Sequence, residues 1–501
     1  MKQISSNNLV LFLVILQFVI GCVKTSYSKT NKSDQKISKN NNFISVPNNT
    51  IRIALQLNIQ KTVIFSIDTL SKHSAYKFNN ITGKGRIVLS SIENQNGRPS
   101  VNIEMSKKKG LIIFLPCTLQ ALSSHNFFEF NENSYRGSII IAEGEGGAFS
   151  VINYCNVEEY LRGVVPLEIG KRSRREIEAV KAQAIAARTY TYKKMIERRN
   201  KPFDMYPTIK DQVYGGAKVE DPLCDNAIFS TKGLVLVYNN KLIYSYYHST
   251  CGGITANIRD GGNKGKNIPY LKSVRDTDSN GKAFCSISTH FTWSESWKRS
   301  NLSSLINKYS KKINKKSISG SIRSIKVAGR FSCGRISKLL ITTTTGSFTL
   351  GGDKIRYILR RNTKNYPILY SARFTFVDDD HSSISIGIVG KGNGHRIGMS
   401  QMGAIGRARS GQLYKEILQA YYPGSYLTNV KNRKVKILDN SSLSKAEFFK
   451  NLNSLLSVNR LVGIGFFSTD IPYVKNLIDH IKEINPTTKI ICGGPHAILE
   501  P

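Results

Sequence analysis

The sequence predicts an α+β protein: a β-rich N-terminal part, a mixed core and a short C-terminal βαβ fragment. Three patterns predict it. Short apolar runs separated by turn residues fill positions 43–130, one long helical segment opens at Ser173, and strand-like runs return after it.

Ahead of the β-rich part, Lys2 precedes an apolar run over positions 9–20, which has the size of a signal-peptide core and is short for a bilayer span. The run ends Val19-Ile20-Gly21-Cys22, which resembles a bacterial lipobox. That resemblance implies a lipoprotein signal peptide over 1–21, lipid on Cys22, and export to a membrane facing the cell wall or periplasm. An ordinary secretory signal or an uncleaved anchor is the alternative. Residues 22–42, rich in Ser, Lys and Asn, then read as a tether.

Within 43–130, positions 51–55, 85–89 and 111–115 read as strands. The region 131–430 is mixed. Strand patterns at 138–141 and 149–152 precede Ser173-Arg174-Arg175-Glu176, whose spacing is that of a capping box. The helix that follows continues to Arg198 and is rich in alanine, so a partner backbone can approach it closely. Further strands are expected at 234–238, 242–244 and 339–342, with a loop insertion at 310–321. From 443 to 501 a buried strand (461–467), a helical period (471–484) and a second strand (489–492) form one βαβ unit ending Gly493-Gly494-Pro495-His496.

Charge narrows the function classes. The chain carries 72 Lys+Arg against 34 Asp+Glu, a net charge of +38, which favours anionic partners such as nucleic acid, an anionic membrane or charged wall polymers. The basic residues are dispersed and accompany no finger or homeodomain signature, so nucleic acid is not an expected partner.

Three blocks carry the chemistry. The first is Tyr160-Leu161-Arg162-Gly163-Val164-Val165-Pro166-Leu167-Glu168 with the alanine-rich helix behind it. The second is Tyr247-His248-Ser249-Thr250-Cys251-Gly252-Gly253. The third runs from Gly390 through Asn393-Gly394-His395-Arg396-Ile397-Gly398-Met399-Ser400-Gln401-Met402-Gly403, with Tyr421-Tyr422-Pro423-Gly424 after it. In this order the blocks resemble the SpoIID/LytB family, which includes stage II sporulation protein D and the amidase enhancers. The resemblance implies lytic transglycosylase activity on peptide-stripped peptidoglycan glycan strands, with Glu168 as the catalytic acid. Its alternative is a non-enzymatic amidase enhancer that binds wall glycan and an N-acetylmuramoyl-L-alanine amidase.

A lone acid is chemically sufficient for the first reading. The leaving glycosidic oxygen needs a proton, which a carboxyl of raised pKa supplies. Hydrolases need a second carboxylate for water or for attack on the sugar. The muramyl 6-hydroxyl can instead attack its own anomeric carbon, and proximity then lowers the barrier. Judged by position alone, Glu168 could equally be an exposed carboxylate favoured by a helix dipole.

Arg188, Gln212, Tyr214, His395, Ser400 and Gln401 are the candidate glycan-binding residues, with the glycines of the third block letting sugars approach. Asn393 and Met402 stand where the family commonly has tryptophan, and Arg396 where it commonly has glycine. His248, Cys251, Cys285 and His290 form a His-x2-Cys and Cys-x4-His pair that could close a structural zinc site. A Cys251–Cys285 disulfide or two free thiols are the alternatives. The tail resembles the second part of a cobalamin-binding domain but lacks the Asp-x-His-x-x-Gly ligating loop, so no cobalamin is expected.

Overall fold

The computed structural model describes residues 43–46, 49–60, 63–67, 76–78, 81–83, 86–95, 98–105, 108–121, 127–261, 267–313, 318–377 and 384–432. It also describes 12–14, 437–439, 461–465, 478–483 and 489–493. The chain divides into two units, one of residues 41–432 and one of 1–40 with 433–501. Cys22, the tether and Gly494-Pro495-His496 lie outside the described residues.

The larger unit begins with two antiparallel six-stranded sheets. One runs Thr50–Ile59, Phe149–Asn156, Ser138–Glu143, Cys117–Ala121, Tyr76–Phe78, Ile81–Gly83. The other runs Asn133–Tyr135, Phe128–Phe130, Val63–Ile67, Ile87–Gln95, Arg98–Met105, Lys108–Phe114. Alternate apolar residues, such as Leu119, Ile139 and Ile141 in the first and Phe65, Leu89 and Val101 in the second, are buried in one common core. Strands 138–143 and 149–156 therefore belong to the β-rich part, and the boundary expected near residue 130 cuts through a sheet.

Strand Phe149–Asn156 of the first sheet ends where helix α1 (Val157–Arg162) begins. Asn156 caps it, accepting from Glu158 N at 2.9 Å, while Glu159 reaches back to Asn156 N. A short helix α2 (Val165–Ile169) follows, with Pro166 in its first turn, where a missing N–H leaves no bond unmade. Glu168 thus stands in a helical turn of its own. Ser173 and Glu176 form the expected capping box at a 3₁₀ turn that leads into α3 (Ile177–Glu197). Buried residues surround α3 on nearly all sides, and its alanines let α4 (Pro222–Ser230), α7 (Gln401–Arg409) and α8 (Tyr414–Tyr421) pack against it.

Two pairings close this part. Phe43–Val46 runs parallel to Tyr426–Asn432, which also pairs with Leu234–Tyr238. Tyr247–His248 runs parallel to Met399–Ser400, which brings the second and third sequence blocks side by side.

Residues 292–391 form a lobe with a hydrophobic core of its own, built on Trp293, Trp297, Ile306, Leu339, Ile341 and Ile388. Its elements are strands Thr292–Lys298, Ile322–Arg330, Ile336–Thr343, Gly346–Gly351, Phe374–Phe376 and Ser385–Lys391, with helices α5 (Arg299–Ile313) and α6 (Lys354–Ile358). Ser310, expected in a loop, is inside α5, and its hydroxyl accepts from Ile318 N at 2.8 Å.

In the smaller unit Leu461–Gly465 and Lys489–Gly493 pair in parallel and residues 478–483 are helical, as a βαβ unit requires. Phe12–Val14, from the apolar N-terminal run, pairs antiparallel with Ile437–Asp439 and Leu461–Gly465.

Candidate active site

Glu168 is half-buried beside Leu167, which is 42% exposed and opens this turn to solvent. Its Oε1 accepts a hydrogen bond from Val213 N at 3.0 Å. Burial raises its carboxyl above the usual range, against the opposing effect of hydrogen bonds from Val213 N, Gln401 and Tyr247. No ion pair reaches it among the described residues. A carboxyl that is desolvated and without a cation keeps its proton to higher pH, which is the property a general acid needs.

A 210 Å³ cavity lined by Tyr190, Ile209, Lys210, Asp211, Tyr246, Tyr247 and His395 shares Tyr247 with this carboxyl. Asp211 is the other acid here, and its oxygens are committed: Arg198 Nη1 donates at 2.6 Å, Nη2 at 3.1 Å and Tyr206 N at 2.9 Å. Two carboxyls therefore stand in contrasting environments, one without a cation and one locked to a guanidinium.

The expected glycan-binding residues divide sharply. Gln401 borders Glu168 directly. Gln212 is buried, and its Nε2 donates to Tyr247 OH at 2.9 Å, so it positions the tyrosine that borders Glu168. His395 lines the cavity, yet both its ring nitrogens are taken. Ile397 N donates to Nδ1 at 3.1 Å, and Nε2 donates to the Tyr247 carbonyl at 2.8 Å. Ser400 is buried and its Oγ accepts from Gly403 N and Cys251 N, each at 3.2 Å, as the N-cap of α7.

Arg188 is buried in α3. It forms a bidentate pair with Glu158 at 2.9 and 2.7 Å and also donates to the carbonyls of Leu234 and Ile228. Tyr214 is buried, donating to Asn153 Oδ1 at 2.9 Å. Neither lines the cavity. A polar residue on a helix buried all round must satisfy itself internally, which sequence spacing does not reveal.

Glycines of the third block allow close packing within the chain. At Gly398 (φ +72°) a Cβ would lie 2.0 Å from the Tyr246 carbonyl oxygen, and at Gly403 it would lie 2.2 Å from Asp276 Oδ2.

The cysteines do meet, with a different companion. Cys251 Sγ is 3.4 Å from Cys285 Sγ and 3.2 Å from Asp276 Oδ2, and the three are fully buried. Among the described residues these three form the group whose ligand atoms lie within 4.8 Å of one another. His248 and His290 stand outside it. His248 Nδ1 lies 3.2 Å from the Ile397 carbonyl, and His290 Nδ1 lies 3.1 Å from Thr289 Oγ1. Burial pushes the Cys251 thiol well up, whereas the hydrogen bond from Cys251 lowers the Cys285 thiol, helped by the Gly252 and Gly253 amides. Asp276 Oδ1 is occupied by Tyr421 OH at 2.7 Å and Arg407 Nε at 3.0 Å, leaving Oδ2 for the sulfurs. Asp276 has no motif spacing to either cysteine, so nothing in the sequence marks it.

Comparison with known proteins fits this arrangement. The family model described as "Stage II sporulation protein" matches residues 145–238, which contain Glu168 and α3, and a model for a domain of unknown function matches 285–398. An uncharacterized protein of Brachyspira hyodysenteriae is 31% identical over 301 residues, 59% of this chain and 73% of that protein. The amidase enhancer of Bacillus subtilis is 31% identical over 307 residues, 54% of this chain but 40% of its own length. Stage II sporulation protein D of Bacillus subtilis is 28% identical over 288 residues, 54% of this chain and 74% of that protein. The chain belongs to the stage II sporulation protein D family.

Proposed function

We propose that this chain is an exported lytic transglycosylase acting on peptide-stripped peptidoglycan glycan strands, with Glu168 as its acid and base. The observation that carries the reading is the contrast between two carboxyls, Glu168 beside Tyr247 and Asp211 in the cavity that Tyr247 lines. Glu168 has no cation and a raised pKa, and Asp211 is bound to Arg198. Glu168 donates its proton to the glycosidic oxygen as the bond to the muramyl anomeric carbon breaks. The muramyl 6-hydroxyl then attacks that carbon and returns its proton to Glu168, giving a 1,6-anhydro end. Asp211 is the one carboxylate among the described residues lining the cavity, and its pairing with Arg198 leaves it poorly placed to activate water. Incubation with amidase-treated glycan and mass spectrometry of the products tests this. Anhydro-muramyl ends are expected; reducing ends would make the protein a hydrolase.

The second reading is an amidase enhancer, a glycan binder that stimulates an amidase. It is favoured by the 31% identity to a relative of that name and by the internal commitments of His395 and Ser400. Stimulation of an added amidase by a preparation that itself cuts nothing would establish it.

The zinc reading is revised to Cys251, Cys285 and Asp276. A tetrahedral zinc with bonds of about 2.3 Å holds two sulfurs roughly 3.8 Å apart, close to the 3.4 Å found. These residues fit the metal in type and spacing, and when bound it would tie the Cys251 loop to the 285 turn behind α7. Metal analysis of reduced protein should give about one zinc per chain, lost in Asp276→Ala; a Cys251–Cys285 disulfide in a peptide map would replace it. Lipid on Cys22 remains part of the proposal, tested by fatty-acid labelling of wild type against Cys22→Ser. No described helix is long and apolar enough to cross a membrane.

A further inference from the structure

The loop that follows Glu168 is strongly basic: Lys171, Arg172, Arg174 and Arg175 stand within five consecutive positions. Arg172 and Arg174 line one cavity of about 700 Å³, a size that holds a small ligand. Its other walls include Ile177 at the start of α3 and Asp221, Pro222 and Leu223 at the start of α4. Two guanidinium groups thus share a space with the half-buried apolar side chains of Ile177 and Leu223.

The carboxylates around this cavity are engaged elsewhere. Asp221 caps α4, its Oδ1 accepting from Leu223 N and Cys224 N, each at 3.0 Å. Glu176 accepts from Ser173 N at 2.9 Å and pairs with Arg409 at 2.6 Å. Glu220 pairs with Arg136 and Arg162, and Asp225 pairs with Arg162. Among the described residues no ion pair reaches Arg172 or Arg174. Two cations therefore line the cavity against one acid, which already accepts from two backbone amides.

The same loop ties the cavity to the candidate acid. Arg172 Nε donates to the Gly170 carbonyl at 3.4 Å, and a Cβ on Gly170 would lie 2.9 Å from Arg172 Nη2. Gly170 is two residues from Glu168, so this guanidinium lies within about 12 Å of Glu168 Cα. A disaccharide spans such a distance.

We propose that Arg172 and Arg174 bind a carboxylate of the sugar strand, the lactyl carboxylate of a muramyl residue. That group is free where the peptide has been removed and is a neutral amide where the peptide is attached. A guanidinium matches a carboxylate with two parallel charge-assisted hydrogen bonds and has no such match in an amide. Ile177 and Leu223 suit the lactyl methyl group. The proposal rests on the reading of Glu168 as the acid of a glycan-cleaving site, and it makes the two arginines the residues that select peptide-stripped strands.

Binding to the full chain carrying Glu168→Gln, which leaves the strands uncut, tests it at physiological ionic strength. One probe is amidase-treated glycan; the other is the same glycan with its lactyl carboxylates converted to methylamides. The carboxylate probe should bind roughly tenfold more tightly. Adding Arg172→Gln and Arg174→Gln should abolish that difference, and unchanged affinity for the methylamide probe shows the fold intact. Adding Lys171→Gln and Arg175→Gln instead removes the same charge outside the cavity and should keep the difference. Equal binding of the two probes, or a preference that survives loss of Arg172 and Arg174, would overturn the proposal. So would a preference lost equally with Lys171 and Arg175. Cleavage is scored separately on the chain with Glu168 intact. A chain that shows the preference and cuts neither probe supports the arginine subsite and overturns the role given to Glu168.

Discussion

Glu168 is held where its charge is costly, and two consequences follow for a single substitution. Glu168→Gln keeps the acceptor for Val213 N but cannot donate a proton to a leaving sugar oxygen. Cleavage of denuded glycan should fall by at least ~10²–10⁴-fold, measured by release of anhydro ends. The same change should raise, not lower, the melting temperature at neutral pH. Because burial raises the folded carboxyl, the folded state binds this proton more tightly than the unfolded chain. Stability is therefore lost as pH rises through the interval above the ordinary carboxylate value. Activity requiring the protonated acid should decline on the alkaline side for the same reason. His395 has the opposite sign. Burial lowers it from 6.5 to about 4, with Asp353 opposing and Arg356 and Arg335 assisting. Its contribution is present above pH 6.5 and lost as pH falls toward 4. Melts across that window should show a falling limb that is shallower in His395→Asn.

At the scale of elements, α7 is fixed by contacts that leave no room for a side-chain carbon. Gly403 faces Tyr421 OH and Asp276 Oδ2 at 2.1 and 2.2 Å from an ideal Cβ, and both are buried and bonded to each other through Asp276 Oδ1. Gly403→Ala should cost about 1–3 kcal/mol by overpacking, seen in denaturant unfolding, and should displace Asp276 from Cys251. Elements of this kind were legible to different degrees. The start of α3 was plain from Ser173 and Glu176, because a capping box is local. What α3 does with Arg188 was not, because a helix buried on every side carries no amphipathic stripe to separate core from cleft. The glycines of the third block were visible as a need for close approach, but the approaching partner proved to be Tyr246, His248 and Asp276 of this chain. Cys251 and Cys285 were legible as a pair, whereas Asp276 joins them only through the fold.

For the whole molecule, the main core of the larger unit takes its residues from between Ile51 and Tyr422, and the lobe of residues 292–391 carries a second core. Glu168, Val213, Tyr247, Gln401 and the cavity that Tyr247 lines all belong to residues 41–432, as does the cysteine group. The parallel pairing of Phe43–Val46 with Tyr426–Asn432 ties the two ends of that unit together, so its boundary lies after residue 432. Of the tail, the described residues show a βαβ unit, with Leu461–Gly465 beside Lys489–Gly493. These two strands belong to a small four-stranded sheet of the smaller unit, whose unfolding need not coincide with that of the larger core. Deleting residues 443–501 should therefore leave the main melting transition within about 2 °C of the full chain and leave glycan cleavage unchanged. Loss of cleavage with the transition preserved would show that the tail works on the substrate. Loss of the transition itself would show that the larger unit depends on the tail to fold.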